Sequence, residues 1–423
     1  MPVTRKNLFG IFSMCCCVLL IITFWKSQKF IPSFGQMESP SQTLRFMMHQ
    51  APSISTNESG DKDNSVTTVK KKLKLTTTSN ETCKSKTNIV FIKTHKTAST
   101  AIQNVLLRYG LHNNLKIAFP RNIHDFNYPS FFSTSSVAKL GSGPYNIVCH
   151  HMRMRYDAVK NLMPKDTPFV TIVREPGELF ESTFDYFWPI VPSFQRVPHH
   201  GNTSMEDWLD KAGEHIRAAG HSVYAHFAKN PTFFDLGYNN LIDDDQYIEK
   251  TIDVLSKIFD LVMVSDYLDE SMVLFADLLC WDLEHVACLS LNARSHDNEG
   301  DDVTRKARIR EKARRWNKAD ALLFDHFNET LWRKVEEFGM NKMAASVRKL
   351  TQIRSNLAEI CIDGGTAVDS AKINDSTFKK TIFKPKGVSV ASYNLKPGAE
   401  KIATCRELIA SENTFSKQVF DAQ

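Results

Sequence analysis

Apolar positions along the chain fall into three patterns. The first is Leu8–Trp25 (LFGIFSMCCCVLLIITFW), 18 residues without a charge, with Arg5 and Lys6 before it and Lys26 and Lys29 after it. That length is near the lower end for a membrane-spanning helix. Trp25 and Lys26 follow it instead of a small-x-small cleavage site, so it reads as an uncleaved anchor and not a signal peptide. The short N-terminus predicts a type II arrangement, with residues 1–7 cytosolic and the rest luminal. Cys15–Cys17 suit either palmitoylation or plain apolar filler.

The second pattern is the short, unbroken apolar run. Asn88–Ile92, Tyr145–Cys149, Pro168–Val173 and Phe259–Ser265 are of this kind, as expected for strands covered on both faces. The third is helical spacing. From Ser99, the residues Ile102, Val105, Leu106 and Tyr109 share a face, and Gly110 is read as the C′ residue. Similar spacing predicts helices over Glu178–Phe187, Trp208–Ala228, Gln246–Phe259 (face Ile248, Ile252, Leu255, Ile258) and Asp269–Leu279, the last N-capped by Asp266 or Asp269. Thr304–Ile360 is largely helical, and its many charges suit a solvated face. Strands alternating with helices make this an α/β chain.

Lys26–Lys86 breaks the pattern. It is rich in Ser, Thr, Lys and Asn and cannot bury enough surface to fold alone, so it reads as a stem. It carries the glycosylation sequons at Asn57 and Asn80; three more stand at Asn202, Asn328 and Asn374. Six cysteines lie beyond the anchor: Cys83, Cys149, Cys280, Cys288, Cys361 and Cys405. In an oxidising compartment they predict one to three disulfides. The part from Cys361 onward has few periodic runs and reads as an irregular cap, tied down by Cys361 or Cys405.

Composition adds little: 423 residues, 42% hydrophobic and 24% charged, are ordinary globular values. The net charge of +6 favours anionic ligands slightly. There is no zinc-finger or RNP-type motif, so no nucleic-acid partner is expected. No Cys-x-x-Cys or His-x-x-x-His occurs, so no metal is expected either.

The candidate chemistry sits at strand ends. Lys93–Thr97 (KTHKT) joins the first strand to the helix from Ser99. That helix start offers unpaired N–H groups and a positive dipole end. Lys96, Thr97, Ser99 and Thr100 add a cation and three hydroxyls. The loop is not a Walker A sequence, and a capped helix with solvated lysines is the plain alternative. His150 and His151 end the second run. Arg174 ends the third, with Ser182 eight positions on; an Arg–Glu surface pair and a helix serine would account for them equally well.

Phe91–Thr100 (FIKTHKTAST) resembles the 5′-phosphosulfate loop of Golgi sulfotransferases, above all the galactose-3-O-sulfotransferases. Arg174 and Ser182 match the family's 3′-phosphate element, and His151 in H-M-R-x-x-Y-D matches its strand-end histidine better than His150. The resemblance runs from about Asn88 to Cys405. ICIDGG, YNLK and the SLNAR loop are nearest the branch acting on galactosylceramide. Arg174-Glu-Pro stands where Arg-Asp-Pro is common, and the tail after Cys405 adds nothing to the likeness.

The resemblance implies a P-loop-like sulfotransferase fold, a central parallel sheet flanked by helices. It implies a stem over 26–86, a catalytic domain over 87–405, a tail over 406–423 and a single-pass Golgi anchor. The donor would be 3′-phosphoadenosine-5′-phosphosulfate (PAPS). Lys93, Lys96, Thr97, Ala98, Ser99 and Thr100 would hold its 5′-phosphosulfate, with Lys96 offsetting charge on the bridging oxygen. Arg174 and Ser182 would hold its 3′-phosphate. His95 is favoured as general base and His151 as its partner. The acceptor would be the 3-hydroxyl of galactose on a glycolipid, or alternatively on a glycoprotein glycan. Tyr186 and Arg294 are candidate acceptor contacts; Tyr186, Phe187 and Trp188 serve as well for core. A homodimer is among the expected assemblies. The competing classes are a nucleotide kinase and a sugar-binding membrane module without chemistry.

Overall fold

The computed structural model describes residues 83–199, 203–291, 303–385 and 388–423. The Leu8–Trp25 run, nearly all of the stem, Asn57, Asn80, Asn202 and Arg294 lie outside the described residues. No helix among the described residues is long and apolar enough to cross a membrane.

Five short strands form one sheet: β1 Ile89–Ile92, β2 Ile117–Ala118, β3 Ile147–Val148, β4 Phe169–Val173 and β5 Leu261–Val264. Their order is β2-β3-β1-β4-β5, and every pairing is parallel. All their residues are buried, because helices cover both faces. That is why they appear in sequence as solid apolar runs without alternation. β1 lies between β3 and β4, with Val90 in register with both Val148 and Phe169. The chain reverses its direction of travel across the sheet here, and the crevice at the carboxyl ends of such strands is where open α/β sheets place ligands.

The helices that frame the sheet and the crevice begin with α1 Ser99–His112, α2 Pro176–Phe187, α3 Pro231–Asp235, α4 Asp245–Ile258 and α5 Leu268–Leu279. They continue with α6 Val303–Trp316, α7 Lys318–Phe338, α8 Met340–Cys361, α9 Ala403–Ile409 and α10 Glu412–Asp421. α6 packs across α2, α5 and α7 pack on β5, and α10 packs on α1.

Four local expectations change. Gly110 does not end α1; it lies inside it, where a Cβ would come within 2.7 Å of the Ile117 side chain. The glycine therefore serves close helix–sheet packing instead of a C′ turn. Neither Asp266 nor Asp269 caps α5. Asp266 accepts the Glu175 backbone N–H and Asp269 binds Arg354, so each has a tertiary partner that outweighs a local cap. The helix expected over Trp208–Ala228 is broken into Ser204–Asp210, Ala212–Ala219 and a 3-10 turn at Ala225–Ala228. Gly220, at φ 66°, ends the second piece. Finally, α2 begins at Pro176, two residues before the expected start, because Glu175 accepts the Glu178 N–H at 2.9 Å and Pro176 sits in the first turn, where a missing N–H costs nothing.

Two disulfides form, Cys83–Cys280 and Cys361–Cys405, while Cys149 and Cys288 are buried thiols. The first ties the entry of the domain to the end of α5. The second staples the C-terminal cap, where Val368–Asp369 and Ala391–Ser392 make a small antiparallel pair. Beyond Cys405 the chain is helical and packed: Phe415 and Val419 of α10 are buried.

Candidate active site

The site is built at the carboxyl end of β1. Lys93–Ala98 leaves the sheet as a tight loop, and two of its non-glycine residues, Lys96 and Ala98, have positive φ (60° and 63°). Such conformations are costly for side-chain-bearing residues and cluster at functional sites. Left-handed residues in a loop also turn successive N–H groups inward, the geometry of an anion nest. Ala98 leads into α1 without a side-chain cap, so the positive end of the helix opens on this loop.

The hydroxyls divide into two groups. Thr94, Thr97 and Ser99 turn inward, onto the loop itself and onto β4. Thr94 donates to the Ile172 carbonyl at 2.6 Å, and both Thr97 and Ser99 donate to the Thr94 carbonyl. They hold the strained backbone in shape. Thr100 instead faces outward from α1 and donates to Glu412 at 3.1 Å.

The three cations and Ser182 each have a distinct place. Arg174, at the end of β4, donates to the Lys96 carbonyl at 3.1 Å and pairs with Glu178 at 3.3 Å. The Lys96 ammonium lies 3.6 Å from the centre of the Tyr186 ring, a cation–π contact. Ser182 is buried within α2. Lys93 is almost fully buried, and its three donors reach Thr100 (3.2 Å), His151 Nε2 (3.1 Å) and Glu412 (3.0 Å). An ammonium has three donors, so Lys93 is fully occupied within the protein.

His95 and His151 stack face to face, with ring centres 3.9 Å apart and planes 10° from parallel. Their hydrogen bonds differ. His95 Nδ1 donates to Asp235 at 2.9 Å, and the His95 backbone N–H reaches the same carboxylate at 2.8 Å. Tyr128 donates to Asp235 as well, at 2.7 Å. The fully buried carboxylate thus has three donors, which is how an interior charge is tolerated. His95 Nε2 has no hydrogen-bond partner among the described residues. His151 uses both nitrogens. Its Nδ1–H donates to the Lys93 carbonyl at 3.1 Å, and Nε2 accepts from the Lys93 ammonium. An ammonium only donates, which fixes that tautomer. Burial, with the charges of His95 and Lys93 beside it, pushes the His151 pKa well below the ordinary histidine value.

His150, next in sequence, faces the other way. It is fully buried against Ser416 of α10 (3.0 Å), and burial lowers its pKa to about 3. The strand alternation puts one histidine into the core and the other into the crevice.

Asp235 has its own scaffold. Asp320 of α7 accepts the Thr232 and Phe233 N–H groups at 3.0 and 2.9 Å, capping α3 from outside. Burial raises the Asp320 pKa to about 7, despite those donors. Two residues past Asp235, Gly237 has φ 91°, and a Cβ there would meet the Met154 carbonyl at 2.1 Å. Only glycine lets this turn press against the segment after His151, where the Met154 N–H reaches the Asp235 carbonyl at 2.8 Å.

The residues expected from sequence are therefore largely gathered: His95, His151, Lys96, Arg174 and Tyr186 share one crevice. Tyr186 is buried, as is Phe187, which stacks on Phe227 at 3.9 Å. Of the described sequons, Asn328 lies in the middle of α7, half-buried, while Asn374 is exposed in a loop. Three site residues were not anticipated: Asp235, Tyr128 and Glu412. Asp235 left a signal, a lone acid in the apolar run PTFFDL, which must find a partner if buried. Tyr128 and Glu412 left none.

The family model described as galactose-3-O-sulfotransferase matches residues 13–423. Galactosylceramide sulfotransferase from Bos taurus, and likewise that from Homo sapiens, is 40% identical over 336 residues, 78% of this chain and 77% of the relative. Galactose-3-O-sulfotransferase 3 from Bos taurus is 36% identical over 344 residues, 79% of this chain and 78% of the relative. With the phosphate-type loop, the strand-end arginine and the paired histidines in one crevice, these likenesses make the chain a sulfotransferase, a member of the galactose-3-O-sulfotransferase family.

Proposed function

We propose that this enzyme moves the sulfuryl group of PAPS to the 3-hydroxyl of a terminal galactose on a glycolipid such as galactosylceramide, with His95 as general base. The observation that carries this reading is the His95–Asp235 couple, which stands one residue before Lys96 of the anion loop. The carboxylate fixes the Nδ1–H tautomer and leaves the Nε2 lone pair available.

The loop's chemistry fits the donor. The uncapped start of α1, the left-handed residues at 96 and 98 and the Lys96 ammonium all favour a doubly charged phosphosulfate. Arg174, held against the Lys96 carbonyl, is set to take the 3′-phosphate, and exchanging Glu178 for a phosphate would strengthen its bonds.

The reaction is an in-line displacement. The galactose oxygen bonds to sulfur as the bond from sulfur to the bridging oxygen breaks, and adenosine 3′,5′-bisphosphate leaves. The hydroxyl proton passes to His95 Nε2, and Asp235 offsets the resulting imidazolium. Lys96 meets the charge that grows on the bridging oxygen. His151 has both nitrogens engaged, so it serves as a stacking and positioning partner for His95 and not as the base.

The galactosylceramide acceptor rests on the relatives' names and on the three sequence segments nearest that branch. The Leu8–Trp25 run supports a type II anchor in the Golgi membrane, which would bring the crevice to a lipid acceptor. The test is transfer from labelled PAPS by a soluble form beginning near Ser79, offered galactosylceramide, lactosylceramide and a galactose-terminated N-glycan. Label on the 3-position of the glycolipid galactose is the expected result. Label on the N-glycan alone would move the acceptor to the glycoprotein class, and no label on any acceptor would defeat the reading.

A further inference from the structure

The C-terminal helix α10 contributes a carboxylate to the active site that sulfuryl transfer itself leaves unused. Glu412, at its first position, lies 3.0 Å from Lys93 Nζ and 3.1 Å from Thr100 Oγ1. Burial alone would disfavour its charge, but the Lys93 charge and hydrogen bond, with help from Thr100, outweigh burial and hold its pKa below the usual value. Lys93 is buried and Glu412 half-buried, and the geometry of the pair closes a circuit. Glu412 holds Lys93, Lys93 donates to His151 Nε2, and His151 stacks on His95. Thr100 ties the circuit to the anion loop, since it accepts from Lys93 and donates to Glu412.

We propose that Glu412 is a positioning residue for the sulfuryl-transfer reaction, anchoring Lys93 on His151 so that the His95–His151 stack keeps its orientation. The proposal rests on the reading of His95 as base. It makes the C-terminal helix part of the active site and not an appendage. α10 is suited to this. It is packed on α1, the helix that begins at the anion loop, and it buries Phe415 and Val419. Ser416 reaches His150, and Gln423, just past its end, accepts the Ile117 N–H at 3.1 Å and donates to the Leu115 carbonyl at 2.7 Å.

Without the carboxylate, the Lys93 ammonium loses the bond that holds it against His151 Nε2. The groups around it are His151 at the end of β3, with His150 and Cys149 before it, His95 across the stack, and Glu412 itself on α10. A Lys93 no longer aimed at Nε2 does not force His151 into the Nδ1–H tautomer. Thr100, meanwhile, is released toward the anion loop. Loss of Glu412 is thus expected to impair turnover without weakening donor binding, a split that general unfolding does not produce.

The test uses Glu412→Gln, Glu412→Asp and, as a packing control on the same helix, Ser416→Ala. Three quantities are measured on the soluble form: kcat across pH, the Kd of adenosine 3′,5′-bisphosphate by calorimetry, and the His151 tautomer by 15N imidazole NMR. Glu412→Gln is expected to lower kcat on the order of tenfold or more with the Kd unchanged or tighter. The His151 signal is expected to leave the Nδ1–H position. Glu412→Asp restores part of the loss, and Ser416→Ala leaves kcat and tautomer in place. An unchanged tautomer in Glu412→Gln overturns the proposal, as does a parallel loss of kcat, donor affinity and Tm. Should the unaltered enzyme transfer no sulfate, the catalytic reading fails on its own, and the NMR comparison still decides whether Glu412 governs His151.

Discussion

The two walls of the crevice are made in different ways. The wall we assign to the donor is Lys93–Thr100, one short loop in which Thr97 and Ser99 donate to the Thr94 carbonyl and Thr94 donates to Ile172 of β4. The wall we assign to the acceptor gathers Tyr128, His151 and Asp235 from segments far apart in the chain, with His226 buried beside Tyr128 at a ring separation of 5.1 Å. Tyr128 reaches Asp235 across 107 positions, and His95 reaches it across 140. The first wall is a local solution to backbone strain. The second exists only when β3, α3 and the Phe119–Phe132 loop have docked. Variants on the two walls should therefore fail differently: the donor wall in binding, the acceptor wall in turnover.

The strongest way to sharpen that contrast is to cut the couple that joins the walls. His95→Ala should lower kcat by roughly 10³-fold or more, the upper range for general base catalysis, while the Kd of adenosine 3′,5′-bisphosphate barely moves. Asp235→Asn should do nearly as much, because an amide no longer selects the tautomer. Steady-state kinetics with calorimetry checks both, and weakened donor binding in either would blur the division.

Next comes the cap that carries Glu412. Cys361 and Cys405 close a loop with a sequence separation of 44. Chain entropy gives the disulfide about 4 kcal/mol of stabilisation. Replacing both with Ser should lower Tm clearly, seen by calorimetry under non-reducing conditions, and should cost turnover before donor affinity.

On the donor wall, Arg174→Ala should weaken binding of adenosine 3′,5′-bisphosphate about 10–100-fold, the worth of a charge-assisted pair. Adenosine 5′-phosphate, which has no 3′-phosphate, should bind the variant and the unaltered enzyme alike. Equal losses for both nucleotides would place Arg174 elsewhere.

The smallest effect is on acid stability. Burial pushes His226, on the acceptor wall, down to about 3, and it stacks on Phe234 at 4.2 Å. Its folded pKa lies below the unfolded value, so between about 3 and 6.5 the unfolded chain binds the extra proton. Stability is then complete above about pH 6.5 and lost as pH falls toward 3. At pH 5 the loss is about 2 kcal/mol, from 1.36 kcal/mol per pKa unit. His226→Phe should flatten the fall in Tm between pH 7 and 5. An unchanged slope would mean that this histidine keeps its ordinary pKa.

Much of the fold was legible because its signals are local. Solid apolar runs at 89–92, 169–173 and 261–264 mark strands buried on both faces, and the 3.6-residue spacing of α1 and α4 survives intact. Local signals misled where a tertiary contact overruled them. Gly110 is a helix residue pressed on Ile117, and Asp266 and Asp269 serve distant partners instead of their own helix.

The sequence by itself determined which residues make the loop at Lys93–Thr100. Lys96, Thr97, Ser99 and Thr100 are consecutive or nearly so at a strand–loop–helix junction, but the fold turns the Thr97 and Ser99 hydroxyls onto the Thr94 carbonyl and Thr100 onto Glu412. The sequence also singled out His95 and His151 as candidates. Only the tertiary structure decided what each imidazole touches. One imidazole rests on a carboxylate 140 positions away, and the other is pinned at both nitrogens by a lysine whose counter-charge comes from the last helix of the chain. A histidine's protonation state depends on what touches each ring nitrogen, and those contacts span sequence separations of up to 319 residues for the Lys93–Glu412 pair.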